Sequence, residues 1–407
     1  MYIRLSNRYI STQAPGDARL AGQTFLTNHC PNGTEVTTDD LIEKISKIAH
    51  EIKSRLAGME EPVQALLTAA CAGEHVFLVS PPGTAKSTLA RLFAEAVGGQ
   101  SFRIVLNPAT GMEDLFGPID ALEFQKGRWV RRWSGLAVAN VAILDEFFKA
   151  SPQVVNMLLD ALEERMISTP EGDVQIPLVT AIAASNEIPS QRDYAAAWDR
   201  LTVRLSVPPL RDEEVFRALL AAEGIRNPIP TVSSADEIRL IAGLNDYLAL
   251  EEGRSNTEII EALLDIKKHL DENGIFVSNR RWVKSLRVAR ASATLAGRDK
   301  ISIKDLSVLR WTLWGRPEDE TDIREFILGL TDPLAGQVIK LEVALAELRE
   351  RLQRANRNED KLDVAAQARR IKKEAKAIVD GNQEYQARIG TVITAADEII
   401  NAVIDSI

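Results

Sequence analysis

Val76-Phe77-Leu78-Val79-Ser80-Pro81-Pro82-Gly83-Thr84-Ala85-Lys86-Ser87 reads as a buried strand running into a tight turn, and an amphipathic stretch over residues 88–97 follows at once. Leu89, Leu92, Phe93, Ala96 and Val97 fall on one stripe, so a helix that starts at the lysine packs against the sheet. A turn of this kind aims backbone N–H groups and a helix N-terminus at a phosphate chain. Lys86 then stands as a point charge between the outer phosphates, and the Ser87 hydroxyl faces a magnesium ion. Against the pattern G-x-x-x-x-G-K-[ST], Ser80 replaces the first glycine and Ala85 the second. Alanine leaves room for a close phosphate. Serine is tolerated only if its φ is not strongly positive, where a side chain costs about 1 kcal/mol or more.

Working outward, short apolar runs alternate with helical stretches between residues 60 and 207. The strands expected are 75–80, 102–106, 141–144, 178–184 and 203–207. Buried runs separated by amphipathic helices indicate an α/β fold with a mainly parallel sheet of five strands. Val141-Ala142-Ile143-Leu144 ends in Asp145-Glu146, which places Asp145 beside the metal and Glu146 where it polarises an attacking water. Ala181-Ile182-Ala183-Ala184-Ser185 ends in Asn186, able to hold the same water or touch the terminal phosphate. Two arginines complete the set: Arg200, just before the last strand, and Arg280, in Ser278-Asn279-Arg280-Arg281-Trp282. Arginine counters charge on a transferring phosphoryl group and is worth ~10³–10⁵ in rate. At a domain edge it serves a neighbour's site, which implies an oligomer.

The rest of the chain divides by pattern. Residues 1–40 show no period and read as an extended arm, with Thr38-Asp39-Asp40 capping a helix that carries Leu41, Ile45 and Ile48. Residues 211–317 look almost wholly helical, broken at 224–230, 253–256, Gly274 and Gly297. Beyond residue 330 the chain is poor in aromatics. Leu341, Leu345, Leu348 and Leu352 follow the spacing of a coiled-coil seam, repeated in Ala368, Ile371, Ala375 and Ile378 and again from Tyr385 to Val403. Three such helices form a bundle by short-loop logic.

Composition sets outer limits. The 407 residues, 45% hydrophobic and 26% charged, allow a sizeable core. Forty-nine Lys+Arg against 58 Asp+Glu leave a net charge of −9, which argues against a protein that coats nucleic acid or an anionic membrane. No apolar run approaches the ~20 residues of a membrane span, and the N-terminal stretch has no signal-peptide core. Cys30 and Cys71 cannot build a disulfide framework, and His29, His50, His75 and His269 lack metal-ligand spacing. The expectation is a cytoplasmic protein.

Taken together these residues resemble an AAA+ ATPase of the MoxR class, in its RavA-like branch, over about residues 45–320. The resemblance rests on Gly73-Glu74-His75-Val76, Pro81 through Ser87, Leu115-Phe116-Gly117-Pro118, Leu144 through Ala150, Ala183 through Glu187, and Val277 through Trp282. It implies a three-layer αβα core over 41–210, a helical lid over 211–330, a triple-helical domain over 331–407 and an N-terminal arm over 1–40. It implies ATP and Mg²⁺ as cofactors, with Pro82, Gly83, Thr84, Ala85, Lys86, Ser87 and Thr88 cradling the nucleotide and Ser87 and Asp145 serving the metal. Glu146 and Asn186 become the catalytic glutamate and the sensor, Arg200 the finger reaching an adjacent subunit and Arg280 the second sensor, with Arg204 and Arg281 as substitutes. The family further implies a ring of six subunits, a von Willebrand A-domain partner, a protein client, and two pore-facing hairpins over 115–133, inside a helix, and 166–177. In the first, Gly127-Arg128-Trp129-Val130-Arg131-Arg132-Trp133 interleaves arginine with tryptophan, the one feature suited to gripping nucleic acid. Such a hairpin suits peptide equally, and the net charge favours the remodelling of proteins. A nucleotide-gated scaffold that recruits partners through its C-terminal helices is the alternative, and a DNA-handling motor a weaker third.

Overall fold

The computed structural model describes residues 2–5, 8–11, 38–56, 58–81, 84, 86–169, 172–186, 200–207, 237–238, 242, 257–298, 300–354, 357–378 and 383–406. Much of 208–256, with the helix breaks expected at 224–230 and 253–256, lies outside the described residues, as do Cys30, Pro82, Gly83 and Ala85. Near the N-terminus, β1 (Tyr2–Leu5) and β2 (Arg8–Ser11) form an antiparallel pair. Helix α1 (Thr38–Lys53) buries Leu41, Ile45, Ile48 and Ile52, while Asp39 and Asp40 in its first turn complement the helix dipole.

The central sheet is built from β3 (Val76–Val79), β4 (Ser101–Val105), β5 (Val141–Asp145), β8 (Thr180–Ser185) and β9 (Val203–Ser206), in the order β4-β5-β8-β3-β9 with every pairing parallel. All five strands expected from the sequence are present, and the fold is α/β. The interior strands are buried, β8 at every position, because helices cover both faces of a parallel sheet. The β4 edge instead alternates exposed and half-buried residues. Strand β3 is flanked by β8 and β9, both later in the chain, so the order reverses there. The carboxyl ends of strands at such a reversal are where α/β sheets open a ligand crevice.

Two helices flank β3 along the chain. Helix α2 (Glu60–Cys71) leads into β3, and its Cys71 thiol is pushed up to about 12 by burial, which leaves it an apolar filler. Helix α3 (Lys86–Val97) leaves β3 and buries Leu89, Leu92, Phe93, Ala96 and Val97, the stripe expected. Short helices α4 (Met112–Phe116) and α5 (Ala121–Gln125) follow β4, and α6 (Pro152–Glu164) follows β5. Ser151 caps α6 by accepting from the Val154 N–H, and Pro152 opens its first turn. Strands β6 (Met166–Thr169) and β7 (Gly172–Gln175) make an antiparallel hairpin before β8.

Residues Phe276–Gly315 belong to the same compact unit as the sheet. There α8 (Asn279–Leu295) packs on α2, and the 3₁₀ turn Ile303–Trp311 touches β9. Trp311 and Arg310 both donate to Glu61, at 2.8 and 3.0 Å. The other unit comprises Ile260–Ile275 and Arg316–Ile407. It holds most of α7 (Thr257–Glu272), whose end is marked by Gly274 at φ +69°, together with α9 (Pro317–Thr331). Its remainder is the three-helix bundle α10 (Pro333–Arg354), α11 (Asn358–Ala377) and α12 (Gln383–Ser406).

The bundle core is the seam read from the sequence: Leu345, Leu348, Ala368, Ala375, Val392 and Ala396 are all buried. Glu342–Arg388 and Glu398–Arg349 pairs advance together along the two helices, so α10 and α12 run parallel, with α11 antiparallel between short connections. No described helix is long and apolar enough to cross a membrane.

Candidate nucleotide site

The carboxyl ends of β3, β5 and β8 bring five expected residues together. Lys86, at the first position of α3, donates from Nζ to the Ser80 carbonyl and to Asn186 Oδ1 at 2.8 Å. The Asn186 amide donates in turn to Glu146 Oε1 at 2.8 Å. An amide is needed for this bridge, since it accepts from the cation with one atom and donates to the carboxylate with the other. Ser87 Oγ lies 3.4 Å from both Asp145 oxygens. Partial burial pulls the Lys86 ammonium below its usual range, and Glu146 and Asp145 oppose that pull.

Ser80 meets the condition set by its side chain: the described non-glycine residues with positive φ are Glu146 and Arg165. Its hydroxyl bonds to Thr84, so it ties the turn where glycine would leave a gap. Glu146 sits at φ 55° and ψ 43°, left-handed backbone that costs a side chain roughly 1 kcal/mol or more. The turn swings its carboxylate off the strand axis toward Asn186, with Lys149 Nζ 3.2 Å from the other oxygen. Sequence reasoning did not single out Arg103, yet it donates to Asp145 from Nε and Nη2 at 3.2 and 2.8 Å. It rides on the exposed β4 edge, where a lone arginine reads as ordinary surface.

Arg200, expected to serve an adjacent subunit, and Arg280, expected as the second sensor, both lie away from the phosphate turn. Arg200 Nε donates to Glu163 at 2.7 Å, and Arg280 Nη1 reaches the same oxygen at 3.3 Å. Glu163 closes α6 at the amino ends of the strands. There the neighbouring Arg165 donates to the carbonyls of Gly73 and Leu178, the residues that lead into β3 and β8. Strand β3 alone, four residues at ~3.3 Å each, puts roughly 13 Å between this edge and the phosphate turn.

Lys284 extends the cluster, 3.9 Å from Glu163 and 3.5 Å from the buried Glu74, which also accepts from Thr202 at 2.8 Å. Burial pushes the Glu74 carboxyl up, and Lys284, Thr202 and Arg287 hold it down. His75 beside it donates from Nε2 to the Leu162 carbonyl and accepts at Nδ1 from the Ala181 N–H, each at 3.0 Å. Burial drives that ring down to about 3. The substitute arginines are built into the core: Arg204 is fully buried against Trp314, and Arg281 is 5% exposed.

Comparison with known proteins decides what this arrangement belongs to. Residues 43–241 match the family described as the MoxR domain in MoxR-vWA-beta-propeller ternary systems, and residues 258–327 match an AAA lid domain. An uncharacterized protein of Methanocaldococcus jannaschii is 31% identical over 77% of this chain and 81% of its own length. The chain belongs to the MoxR family of AAA+ ATPases.

Chaperone MoxR1 of Mycobacterium tuberculosis is 27% identical over 58% of this chain and 60% of its own. In fold, the chain is similar to a Cytophaga hutchinsonii protein classed as an ATPase, with a TM-score of 0.58, 19% identity, and coverage of 72% of this chain and 96% of that one.

Of the two hairpins that the MoxR resemblance implies, the second is β6–β7. The first is not two-stranded. A single antiparallel bridge, Ile119 to Arg131, closes a loop that contains α5, because Asp120 caps a helix there by accepting from the Leu122 and Glu123 N–H groups. The helix expected to hold this insertion is correspondingly short, ending at Phe116. Its three arginines are occupied: Arg128 by Glu123, Arg132 by Asp120 at 2.8 Å, and Arg131 by the Gly117 carbonyl, with its guanidinium over the Trp133 ring.

Proposed function

We propose that this MoxR protein hydrolyses ATP with Mg²⁺ and uses the cycle to remodel protein clients, as the chaperone name of a relative suggests. The observation that carries the reading is the Asn186 bridge between Lys86 and Glu146, with Ser87 and Asp145 alongside. A hydroxyl and a carboxylate side by side are hard oxygen donors of the type magnesium takes, and the adjacent ammonium suits a triphosphate, so the residues fit the cofactor. Pro82, Gly83, Thr84, Ala85, Lys86, Ser87 and Thr88 would cradle the phosphates, and Ser87 and Asp145 would hold the metal. When bound there, the metal would screen the phosphate charge. Glu146 takes the proton of the attacking water, and Asn186 keeps that carboxylate and Lys86 in register.

Arg200 and Arg280 sit on one carboxylate at the far edge of the sheet. We infer that both act on the triphosphate of an adjacent protomer, which makes the ring, of six subunits by kinship, part of the active site. Residues 41–210 would then be the ATPase core, 211–330 the lid, 331–407 a partner-binding triple-helical domain of RavA-like type and 1–40 an arm. The family description supports a von Willebrand A-domain partner. Internal pairing of Arg128, Arg131 and Arg132 disfavours the DNA-motor reading. Purified protein is expected to turn over ATP, and Lys86→Ala or Glu146→Gln to abolish turnover. Activity unchanged by both substitutions would refute the assignment. The scaffold alternative gains only if partner capture persists in Glu146→Gln and fails without residues 333–407.

A further inference from the structure

Asp145 is shared. One of its oxygens, Oδ2, lies 3.4 Å from Ser87 Oγ and also accepts two bonds from the Arg103 guanidinium, at 3.2 and 2.8 Å. The register explains why: Arg103 is opposite Ile143 on the β4 edge, two residues before the Val105–Asp145 pair, so its long side chain reaches along the edge to the strand end. Arg103 is 52% exposed while Asp145 is 13% exposed, so the arginine can swing into water and the carboxylate cannot. Asp145 Oδ1, also 3.4 Å from Ser87 Oγ, is clear of Arg103, so a divalent cation between Ser87 and Asp145 meets the guanidinium charge and competes with it for Oδ2 alone.

We propose that Arg103 is a built-in competitor of the divalent cation, whose exchange with the metal sets the metal concentration at which the site loads. This rests on reading Asp145 as the metal carboxylate. A pair whose arginine is half exposed is weak enough for a divalent ion to displace, yet two guanidinium nitrogens converge on one oxygen, which lysine reproduces only in part. The same exchange frees a guanidinium beside the nucleotide only after the metal has arrived.

The test is titration of Mn²⁺ into protein saturated with ADP, with free Mn²⁺ read by electron paramagnetic resonance. Arg103→Gln is expected to bind Mn²⁺ roughly three- to tenfold more tightly than wild type, with Arg103→Lys between them. ADP affinity measured in EDTA should stay the same in all three. Equal or weaker Mn²⁺ binding in Arg103→Gln, with wild type binding normally, overturns the proposal. Should Arg103→Gln fail to fold, Arg103→Lys alone decides, by tightening Mn²⁺ or not. If wild type binds ADP but no Mn²⁺, or if Asp145→Asn binds Mn²⁺ as wild type does, the metal reading itself fails and the proposal with it.

Discussion

The two edges of the sheet share out their charges differently. At the carboxyl edge, each carboxylate has its own cation, Arg103 on Asp145 and Lys149 on Glu146, and Lys86 reaches Glu146 through the neutral Asn186 amide. At the amino edge, carboxylates are outnumbered: Glu163 is shared by Arg200, Arg280 and Lys284, and Glu74 lies among Lys284 and Arg287. Each edge holds one of the two described non-glycine residues in left-handed backbone, Glu146 and Arg165. At Glu146 that backbone aims a carboxylate into a crevice. At Arg165 it ends a helix so that the guanidinium ties two strands down. On the proposed function, one edge would receive a metal triphosphate, and the other would offer guanidinium groups to the triphosphate of a neighbour.

Substitutions at the two edges should therefore fail differently. Arg200→Ala is expected to cost ~10³-fold or more in turnover, while ATP affinity of the isolated protomer stays near wild type. Weak binding by the isolated variant would break the division of labour. Glu146→Gln should lose ~10²–10⁴-fold in kcat yet retain nucleotide, so a Kd within a few-fold of wild type beside lost turnover sharpens the contrast. Asn186→Leu removes both bonds of the bridge and should behave like a milder Glu146→Gln, about 10²-fold down by steady-state turnover.

The amino edge also predicts a pH response that the other does not. Below its ordinary value of 6.5 the unfolded chain protonates His75, whereas the folded ring resists until about pH 3. Stability should therefore fall as pH drops from 6.5 toward 3, by ~1.4 kcal/mol per pH unit from this group. Denaturation midpoints for His75→Asn, which cannot titrate, should show a flatter acid limb than wild type. An identical slope would remove His75 from the account.

Much of this is legible in the sequence alone. Strand ends announce themselves because an apolar run must stop where a polar side chain appears, and that is how Asp145, Glu146 and Asn186 were found beside Lys86. The bundle was legible because its Leu, Ala and Ile spacing is periodic. What escaped is non-local: Arg280 meets Glu163 across 117 positions, and no local pattern marks a glutamate at the end of an amphipathic helix as a hub for three cations. Arg103 escaped for the same reason, pairing with Asp145 across 42 positions. In the loop over 115–133 the antiparallel pairing implied by the resemblance is confined to the base around Ile119 and Arg131, because the Asp120 side chain starts helix α5 there.

Mixing protomers tests the central claim most directly. Lys86→Ala protein lacks the receiving edge and Arg200→Ala/Arg280→Ala protein lacks the donating edge, so each should be inactive alone. Combined, they should recover a measurable fraction of wild-type ATP turnover, because some junctions then pair an intact Lys86 with intact arginines. A mixture as inactive as its components, under conditions where the two proteins are shown to co-assemble, would contradict the assignment of Arg200 and Arg280 to a neighbour's nucleotide.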